Sequence, residues 1–282
     1  MKNQGTYNGY RIAVPVEFEE VFSHFYFSEN KSGNSITHTL VPSFQTMMIF
    51  NFGTAVSFTN KQNDEIEMGN CMIAGPLKQA VRYTLPAGAE MLVINFKNDA
   101  FFRFFGTALL EDHLHPDDLM TDNCFSTLWK ELTKIDSLER KITHMLTFCR
   151  PFLQGRHPIT EQIIALGNNG ISPVKEISNR EQLSERSVQM KLKEHLGYSS
   201  REMGRYTRFL KAIQLVQHLT SGTDQVNWFE VVEACGYYDQ SQLIHDFKHY
   251  LNLSPSKYIK FRQGICVSSI NSENHTSLPA FF

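Results

Sequence analysis

The most constraining feature of this 282-residue sequence is a short internal repeat with an offset of 55 residues. Residues 186–200, RSVQMKLKEHLGYSS, align with residues 241–255, SQLIHDFKHYLNLSP. The alignment pairs apolar residues at intervals of four, the spacing of one buried helix face: Val188 with Leu243, Leu192 with Phe247, and Leu196 with Leu251. It also pairs Lys193 with Lys248 and Ser199 with Ser254. The repeat therefore predicts two similar amphipathic helices in one chain.

A shorter helical segment precedes each copy. Residues 226–236, VNWFEVVEACG, carry apolar side chains along one helical face and stop at Gly236, which tolerates a left-handed turn. Residues 171–184 hold Pro173 for a first helical turn, and Glu181 takes the place of the turn glycine. Two helices joined by a turn of three or four residues form a helix-turn-helix unit, whose second helix enters the major groove of DNA. The sequence predicts two such units.

The face of each second helix that points away from its apolar stripe is polar, and this pattern recurs in both copies. Such residue types hydrogen-bond base edges and phosphates, so we expect the face to bind DNA. A merely solvated helix surface is the alternative. The predicted DNA-binding residues are Arg186, Ser187, Gln189, Met190 and Lys193 in the first copy, Gln240, Ser241, Gln242, His245, Lys248 and His249 in the second, and Arg205 and Arg208 between them.

The segment between the copies predicts one long connecting helix. Ser199 with Glu202 three residues later has the spacing of a capping box, and helical residues continue to Leu219. The 17 residues from Met203 to Leu219 would span roughly 26 Å as a helix. That spacer would place two reading helices about one DNA turn apart, in successive major grooves. Gly204 weakens the helix interior and is expected to mark a close crossing with another element.

Charge supports DNA binding only locally. The whole chain has a formal net charge of −2. Between Arg186 and Lys211, by contrast, the sequence contains seven basic and two acidic residues. A basic stretch of this kind is compatible with nucleic-acid binding, although a solvated helix surface often has the same composition.

The residues of the repeat resemble a known family. The stretch CGYYDQSQLIHDFKHYLNLSPSKYI, residues 235–259, resembles the second helix-turn-helix signature of the AraC/XylS transcription regulators, and residues 183–212 are similar to their first reading helix and connecting helix. The resemblance implies a regulator that binds double-stranded promoter or operator DNA. It also implies an N-terminal domain for dimerisation or for sensing a small-molecule effector, and RNA polymerase as a further partner.

The sequence departs from that family at two positions of the reading helices. Members usually carry arginine where this chain has Met190 and His245. An arginine makes a bidentate contact with guanine, whereas methionine offers apolar contact, for example with a thymine methyl group. We therefore expect an operator with fewer guanine contacts at these two positions, or weaker binding overall.

The N-terminal half predicts β-structure. Short β-rich runs separated by turn-rich stretches lie between residues 24 and 96, namely HFYFS, SITHTL, TMMIFNF, AVSFT, CMIA, AVRYTL and MLVINF, and NDAFFRFFGTALL follows as a short amphipathic helix. Among AraC/XylS regulators this region is often a cupin-like barrel, which the segment resembles loosely. Its phenylalanines and methionines are expected to fill the core. The alternative is that some of them line a ligand pocket, but the sequence does not identify which residues would do so.

Two helical segments on either side of Asp136 follow the β-region. In the family, helices at this place commonly form the dimer contact, and the resemblance implies a homodimer through Leu128, Leu132, Leu138, Ile142 and Met145. The alternative is that these side chains pack only against their own barrel.

The predicted fold is an α+β chain of two domains, a cupin-like β-barrel or sandwich and an all-α double helix-turn-helix. We expect a β-rich domain at residues 1–121, helices at 122–156, a DNA-binding domain at 157–263 and a loose tail at 264–282. Five scattered cysteines without a CxxC pair, no signal peptide and no long apolar run indicate a cytoplasmic protein without membrane contact.

An enzymatic function is the competing hypothesis. A cupin-type metalloenzyme would need a His-x-His and glutamate cluster on strands, and the chain has His113 and His115 in a polar stretch instead. His245 and His249 are spaced i, i+4, but HDFKH lacks the glutamate of HExxH. The sequence therefore predicts no metal, no cofactor and no catalytic residue.

Overall fold

The computed structural model describes residues 6–60, 62–110, 113–120, 122–166, 173–220, 226–261 and 265–266. Its N-terminal part is built from β-strands and its C-terminal part from helices. Of the tail predicted to be loose, Ile265–Cys266 form a short strand, and the rest lies outside the described residues.

The strands form two five-stranded sheets. In chain order they are β1 (Tyr7–Ile12), β2 (Phe22–Asn30), β3 (Ile36–Leu40), β4 (Met47–Asn51), β5 (Ser57–Thr59), β6 (Glu65–Glu67), β7 (Cys71–Ala74), β8 (Val81–Leu85), β9 (Glu90–Phe96) and β10 (Ile265–Cys266). The first sheet has the order β1-β2-β9-β4-β7 and the second β10-β3-β8-β5-β6. Neighbouring strands are antiparallel except β10, which runs parallel to β3 with Ile265 opposite Thr39.

This arrangement confirms the predicted sandwich. Each of the seven β-rich runs overlaps one strand of the structure. Strands β1, β6 and β10 have no counterpart among those runs. β1 and β6 lie at sheet edges and hold mostly polar or exposed residues, so they lack the apolar alternation that marks a half-buried strand.

Strand β4 is buried on both faces. Met47 and Ile49 belong to the core between the two sheets, together with Phe58 and Tyr83 of the second sheet. Met48 and Phe50 of β4 belong to a second core on the opposite side of the first sheet. A strand covered on both sides needs apolar residues at every position, which explains the continuous run MMIF.

Three helices cover that opposite side, α1 (Ala100–Phe105), α2 (Cys124–Leu132) and α3 (Leu138–Cys149). The short helix predicted after the strands is confirmed as α1. The five residues expected to form a dimer contact instead pack in this monomer core: Leu128, Leu132, Ile142 and Met145 are buried, and Leu138 is partly buried against them. These side chains cover the first sheet and so are not exposed for the predicted dimer contact, whereas the homodimer itself stays a prediction.

The C-terminal part is helical. Its helices are α4 (Pro158–Leu166), α5 (Pro173–Glu181), α6 (Glu185–Leu196), α7 (Ser200–Leu219), α8 (Trp228–Cys235), α9 (Gln240–Leu251) and α10 (Pro255–Phe261). They surround one apolar core that also includes Val41 and Phe44 of the N-terminal part. The two parts of the chain therefore share a core rather than only a surface contact.

The segment around Phe44 carries this connection. Phe44 has a left-handed backbone with φ of 54°, and the carbonyl of Leu77 accepts hydrogen bonds from the N–H groups of Ser43 and Phe44. The carbonyl of Pro42 accepts a hydrogen bond from the hydroxyl of Tyr206 in α7. A further bond joins the Ala80 N–H to the carbonyl at position 250 in α9, at 2.8 Å. The N-terminal sandwich thus holds both the connecting helix and the second reading helix.

Candidate nucleic-acid interface

The two predicted reading helices are α6 and α9. Both are 12 residues long, and their bounds differ by 55 residues at each end, as the repeat predicts. Ser184 caps α6 by accepting from the Ser187 N–H, and Asp239 caps α9 by accepting from the Gln242 N–H. A side-chain oxygen at this position satisfies a backbone N–H that has no partner within the helix, and it defines where the helix begins.

The inner faces of both helices are fully buried. Val188, Leu192 and Leu196 of α6 are at most 3% exposed, and the equivalent residues of α9, Leu243, Phe247 and Leu251, are at most 5% exposed. The helices end at left-handed residues, Gly197 and Asn252. The repeat therefore fixes the rotation of both helices, and it leaves equivalent faces outward.

The turns within the two units differ in length by one residue. The turn between α5 and α6 contains three residues, and the turn between α8 and α9 contains four. Gln182, with φ of 54°, is therefore the left-handed counterpart of Gly236, with φ of 73°. The sequence alignment, which assigned this place to Glu181, was wrong by one residue, because an offset of 55 applies only to the second helices. The Ser178 hydroxyl supports the shorter turn by donating to the Leu183 carbonyl at 2.6 Å.

The outer face of α6 is open. Arg186, Gln189, Met190 and Lys193 are all exposed, and Met190 keeps 63% of its surface accessible. Ser187 is half-buried, with its hydroxyl 2.8 Å from the hydroxyl of Ser184 at the cap. Four of the five predicted residues of this helix thus form a continuous exposed surface.

Part of the outer face of α9 makes contacts within the second helix-turn-helix unit. Gln240, Ser241, His245 and Lys248 are exposed, whereas Gln242 and His249 are half-buried. The side-chain carbonyl of Gln242 accepts a hydrogen bond from the Tyr238 N–H at 2.9 Å, so it helps to close the start of α9. Its amide N–H groups are then the donors that it can offer to DNA.

Arg205 and Arg208 lie on α7 and face α9. The Nε of Arg205 donates to Oδ1 of Asp246 at 2.6 Å, and Nη2 of Arg208 lies 3.4 Å from Oδ2 of the same carboxylate. Asp246 is 1% exposed. A buried carboxylate requires partners of opposite charge, so both arginines anchor α9 to α7. The helical spacing does not predict this role. The one sequence signal for it is a reversal of charge between the copies, because Asp246 stands where the first copy has Lys191.

The connecting helix begins as predicted and is longer than expected. The Ser199 hydroxyl accepts from the Glu202 N–H at 3.2 Å, and the Glu202 carboxylate accepts from the Ser199 N–H at 2.8 Å, which confirms the capping box. α7 has 20 residues, a length of about 30 Å. Gly204 is exposed, and a Cβ atom there would meet nothing within 4 Å. The prediction of a close crossing at Gly204 is therefore wrong.

Equivalent residues near the ends of the reading helices contact the N-terminal part of the chain. His195 of α6 stacks on Phe102 of α1 with ring centroids 3.9 Å apart, and its Nδ1 lies 2.6 Å from the Thr160 hydroxyl. Burial lowers the pKa of His195. Tyr250, which lies 55 residues later, binds the backbone of Ala80 through its carbonyl. Both reading helices are thus held at corresponding points on the side opposite their exposed faces.

Two exposed aromatic residues of the second unit escaped the sequence prediction. Tyr238, in the turn before α9, is 92% exposed, and Phe229, near the start of α8, is 82% exposed. Phe229 lies beside the apolar stripe of α8 rather than on it, and Tyr238 lies in the turn, so helical spacing assigns neither residue to the core.

Of the histidines considered for a metal site, His115 has a structural role. Nδ1 of His115 accepts from the Asp117 N–H at 3.2 Å and caps the short 3-10 helix Pro116–Leu119. Within the described parts of the chain, no three His, Cys, Asp or Glu side chains come together as a potential metal site. None of the helices described is both long and apolar enough to cross a lipid bilayer.

Comparisons with known proteins agree with the geometry of this surface. Residues 177–260 match the family model of a helix-turn-helix domain, and residues 13–113 match a domain of unknown function, DUF6597. No curated protein is significantly similar to the chain.

Among solved structures, the chain is similar to ToxT from Vibrio cholerae. A 1.65 Å structure of ToxT is 14% identical over 92% of this chain and 98% of that chain, with a TM-score of 0.40. ToxT from strain O395 is 15% identical over 94% and 100% of the two chains, with a TM-score of 0.39. ToxT bound to an unsaturated fatty acid is 12% identical over 96% and 100%, with a TM-score of 0.38.

Proposed function

We propose that this chain, an AraC/XylS-type DNA-binding transcription regulator, reads operator DNA by inserting α6 and α9 into two successive major grooves. The observation that carries the proposal is the structural repeat itself. Two helices of equal length are buried along equivalent apolar faces, and each leaves an exposed polar face outward. α7 connects them, and its length of about 30 Å is close to the pitch of B-DNA, roughly 34 Å.

The residues on the two exposed faces have different proposed tasks. Lys193 and Lys248 occupy equivalent positions and supply positive charge for phosphates. Gln189, Met190, Ser241 and His245 lie further toward the N-terminal ends of the helices, which in this motif contact base edges. Arg205 and Arg208 are proposed to act through α9, because both are bound to Asp246.

Binding to a duplex enriched from a random DNA library tests this proposal, with the affinity measured at several salt concentrations. Each phosphate contact contributes about −0.9 to the slope of log K against log salt, so Lys193→Ala and Lys248→Ala should each reduce the slope by about 1. Lys130→Ala, an exposed lysine of α2, is the matched control and should leave the slope unchanged. Failure to enrich any sequence, or equal slopes for all variants, contradicts the proposal.

We further propose that the sandwich senses a small, mainly apolar effector. A cavity of about 250 Å³ opens beside the two sheets; it is lined largely by apolar side chains, with Lys78 and His113 among its polar residues. Nζ of Lys78 donates to Oε1 of Glu202 in the first turn of α7, at 2.8 Å. An occupant of the cavity that draws on Lys78 would therefore alter a contact with the DNA-binding part.

Native mass spectrometry of protein purified gently from its own cells tests the effector proposal. It should reveal a co-purifying small molecule that is missing from the variant Ala74→Phe, which adds a ring to the cavity wall. Absence of any added mass in both proteins contradicts it.

We assign no enzymatic reaction to the chain, because residues 177–260 match a helix-turn-helix domain and His115 caps a short helix. DNA binding supports the cytoplasmic location that we propose. A homodimer and a contact with RNA polymerase stay predictions, and the apolar faces of α2 and α3 are not the surface we propose for dimerisation.

A further inference from the structure

One arginine of the connecting helix contacts two consecutive residues of the second reading helix. Arg205 donates from Nε to Oδ1 of Asp246 at 2.6 Å and from Nη2 to Nδ1 of His245 at 2.8 Å. Asp246 is on the buried side of α9, whereas His245 is exposed on the predicted DNA face. The guanidinium therefore links the inside of α9 to its outside.

The guanidinium itself is fixed in place. Its anchor, Asp246, is 1% exposed and also lies 3.4 Å from Nη2 of Arg208. The guanidinium carbon lies 5.6 Å from the ring centroid of Tyr250, a distance that allows a cation–π interaction. A side chain held on three sides is not free to reach for a phosphate.

The hydrogen bond to His245 determines which ring nitrogen carries the proton. An arginine side chain has donors and no acceptor, so Nδ1 of His245 must accept. The ring is then neutral, and its proton lies on Nε2. His245 consequently presents a single hydrogen-bond donor on the side of the ring that is distant from Arg205.

We infer that Arg205 is a positioning residue for base recognition, which orients His245 and makes it a donor toward the major groove. The inference rests on the proposed function of α9. In the major groove a single donor can be accepted by guanine N7 or O6, adenine N7 or thymine O4. The cytosine edge presents a donor there, so His245 discriminates against cytosine on the strand that it contacts.

Histidine NMR of the free protein tests the first step without DNA. In protein labelled with ¹⁵N-histidine, the resonances of His245 are those that disappear in His245→Ala. The wild type is expected to show the Nε2–H tautomer with an unprotonated Nδ1. A proton on Nδ1 overturns the inference, whatever the protein does with DNA.

Library selection with Arg205→Lys tests the second step. Lysine keeps the positive charge and loses the fork that bridges Asp246 and His245. We expect His245→Ala to abolish the preference at one base pair, and R205K to weaken it roughly fivefold at that same base pair, while the salt slope stays unchanged. Arg201→Lys, the same change on the same helix, is the control and should retain the preference.

Two results of that selection overturn the inference. One is an R205K protein that keeps the full preference, and the other is an R205K protein whose affinity falls uniformly for all sequences, as expected for a phosphate contact. If circular dichroism shows that R205K is unfolded, Asp246→Asn, which removes the charge of the anchor, should weaken the same preference. If the wild type enriches no sequence, the proposed function fails. The NMR measurement of the His245 tautomer then still tests whether Arg205 orients this ring.

Discussion

The ring of Phe44 in the N-terminal sandwich stacks on the ring of Tyr206 in α7, with centroids 4.4 Å apart and planes 23° apart. Phe44 also meets Tyr198, just after α6, and Tyr250 of α9, edge to face. A single side chain of the sandwich thus touches residues that adjoin both reading helices and the helix between them. The sandwich is in a position to control how these helices are held.

Removing the Phe44 ring should loosen this connection. Phe44 is 5% exposed, and deletion of a buried phenylalanine ring typically costs about 3–5 kcal/mol. We expect Phe44→Ala to lower the unfolding free energy by an amount in this range, measured by chemical denaturation. Phe229→Ala removes an equal ring that is 82% exposed and should change stability by less than about 0.5 kcal/mol. Equal effects of the two changes would contradict the role of Phe44.

Gly204 offers a stabilising substitution. The residue lies inside α7, is exposed, and leaves open space where a Cβ atom would point. Because alanine is favoured over glycine in a helix interior by about 1 kcal/mol, Gly204→Ala should raise the unfolding free energy by about that amount. Gly197→Ala is the contrasting change, since a Cβ there would lie 2.5 Å from the Ala108 carbonyl and φ is 76°, and it should destabilise. Destabilisation by Gly204→Ala would mean that α7 is crossed at this point after all.

The stability of the sandwich should fall in mild acid because of His24. Burial, with a smaller contribution from Arg11, lowers the pKa of His24 from 6.5 to about 4. The unfolded chain therefore binds a proton more readily, so the stabilisation by neutral His24 is complete above pH 6.5 and is lost as the pH falls toward 4. Between these values, at pH 5, the loss amounts to about 2 kcal/mol.

Comparison of unfolding free energies at pH 7.5 and pH 5 for the wild type and His24→Gln measures this effect. The variant should show a pH-dependent loss that is smaller by about 2 kcal/mol. His218→Gln, at an exposed histidine of α7, controls for the substitution itself. The same pH dependence in the wild type and in His24→Gln would exclude His24 as the cause.

The Gln242 side chain should matter for the helix start. Its carbonyl accepts the Tyr238 N–H, and loss of a capping hydrogen bond costs about 1 kcal/mol. Gln242→Ala should lower the unfolding free energy by that amount, and Gln242→Glu, which keeps an acceptor oxygen, should restore most of it. Chemical denaturation distinguishes these outcomes. If alanine and glutamate have equal effects, the hydrogen bond does not stabilise the turn.

Much of the DNA-binding part could be predicted because its signals are local. The apolar positions of α6 and α9, their caps and the exposed faces follow from helical spacing and from the repeat. Strands whose residues alternate between apolar and polar, or are all apolar, could also be predicted. In contrast, the pairing of Arg205 with Asp246 joins residues 41 positions apart, and it depends on how α7 packs against α9. No spacing rule reveals such a contact.

The other differences have the same origin. The apolar faces of α2 and α3 were correctly seen, but the sequence does not say whether they meet a second copy or the first sheet. The repeat alignment missed the shorter turn at Gln182, because the one missing residue shifts the first helix of the unit and leaves the second helix in register. The pairing of β10 with β3 joins segments more than 200 positions apart.

The central claim is that α6 and α9 read two separate base-pair groups of one operator. Selection from a random DNA library, carried out with the wild type, Met190→Ala and His245→Ala, tests it most directly. We predict two conserved groups centred about 10–10.5 base pairs apart, with Met190→Ala changing the preference in one group and His245→Ala in the other. A single conserved group altered by both variants, or no sequence preference in the wild type, would contradict the claim.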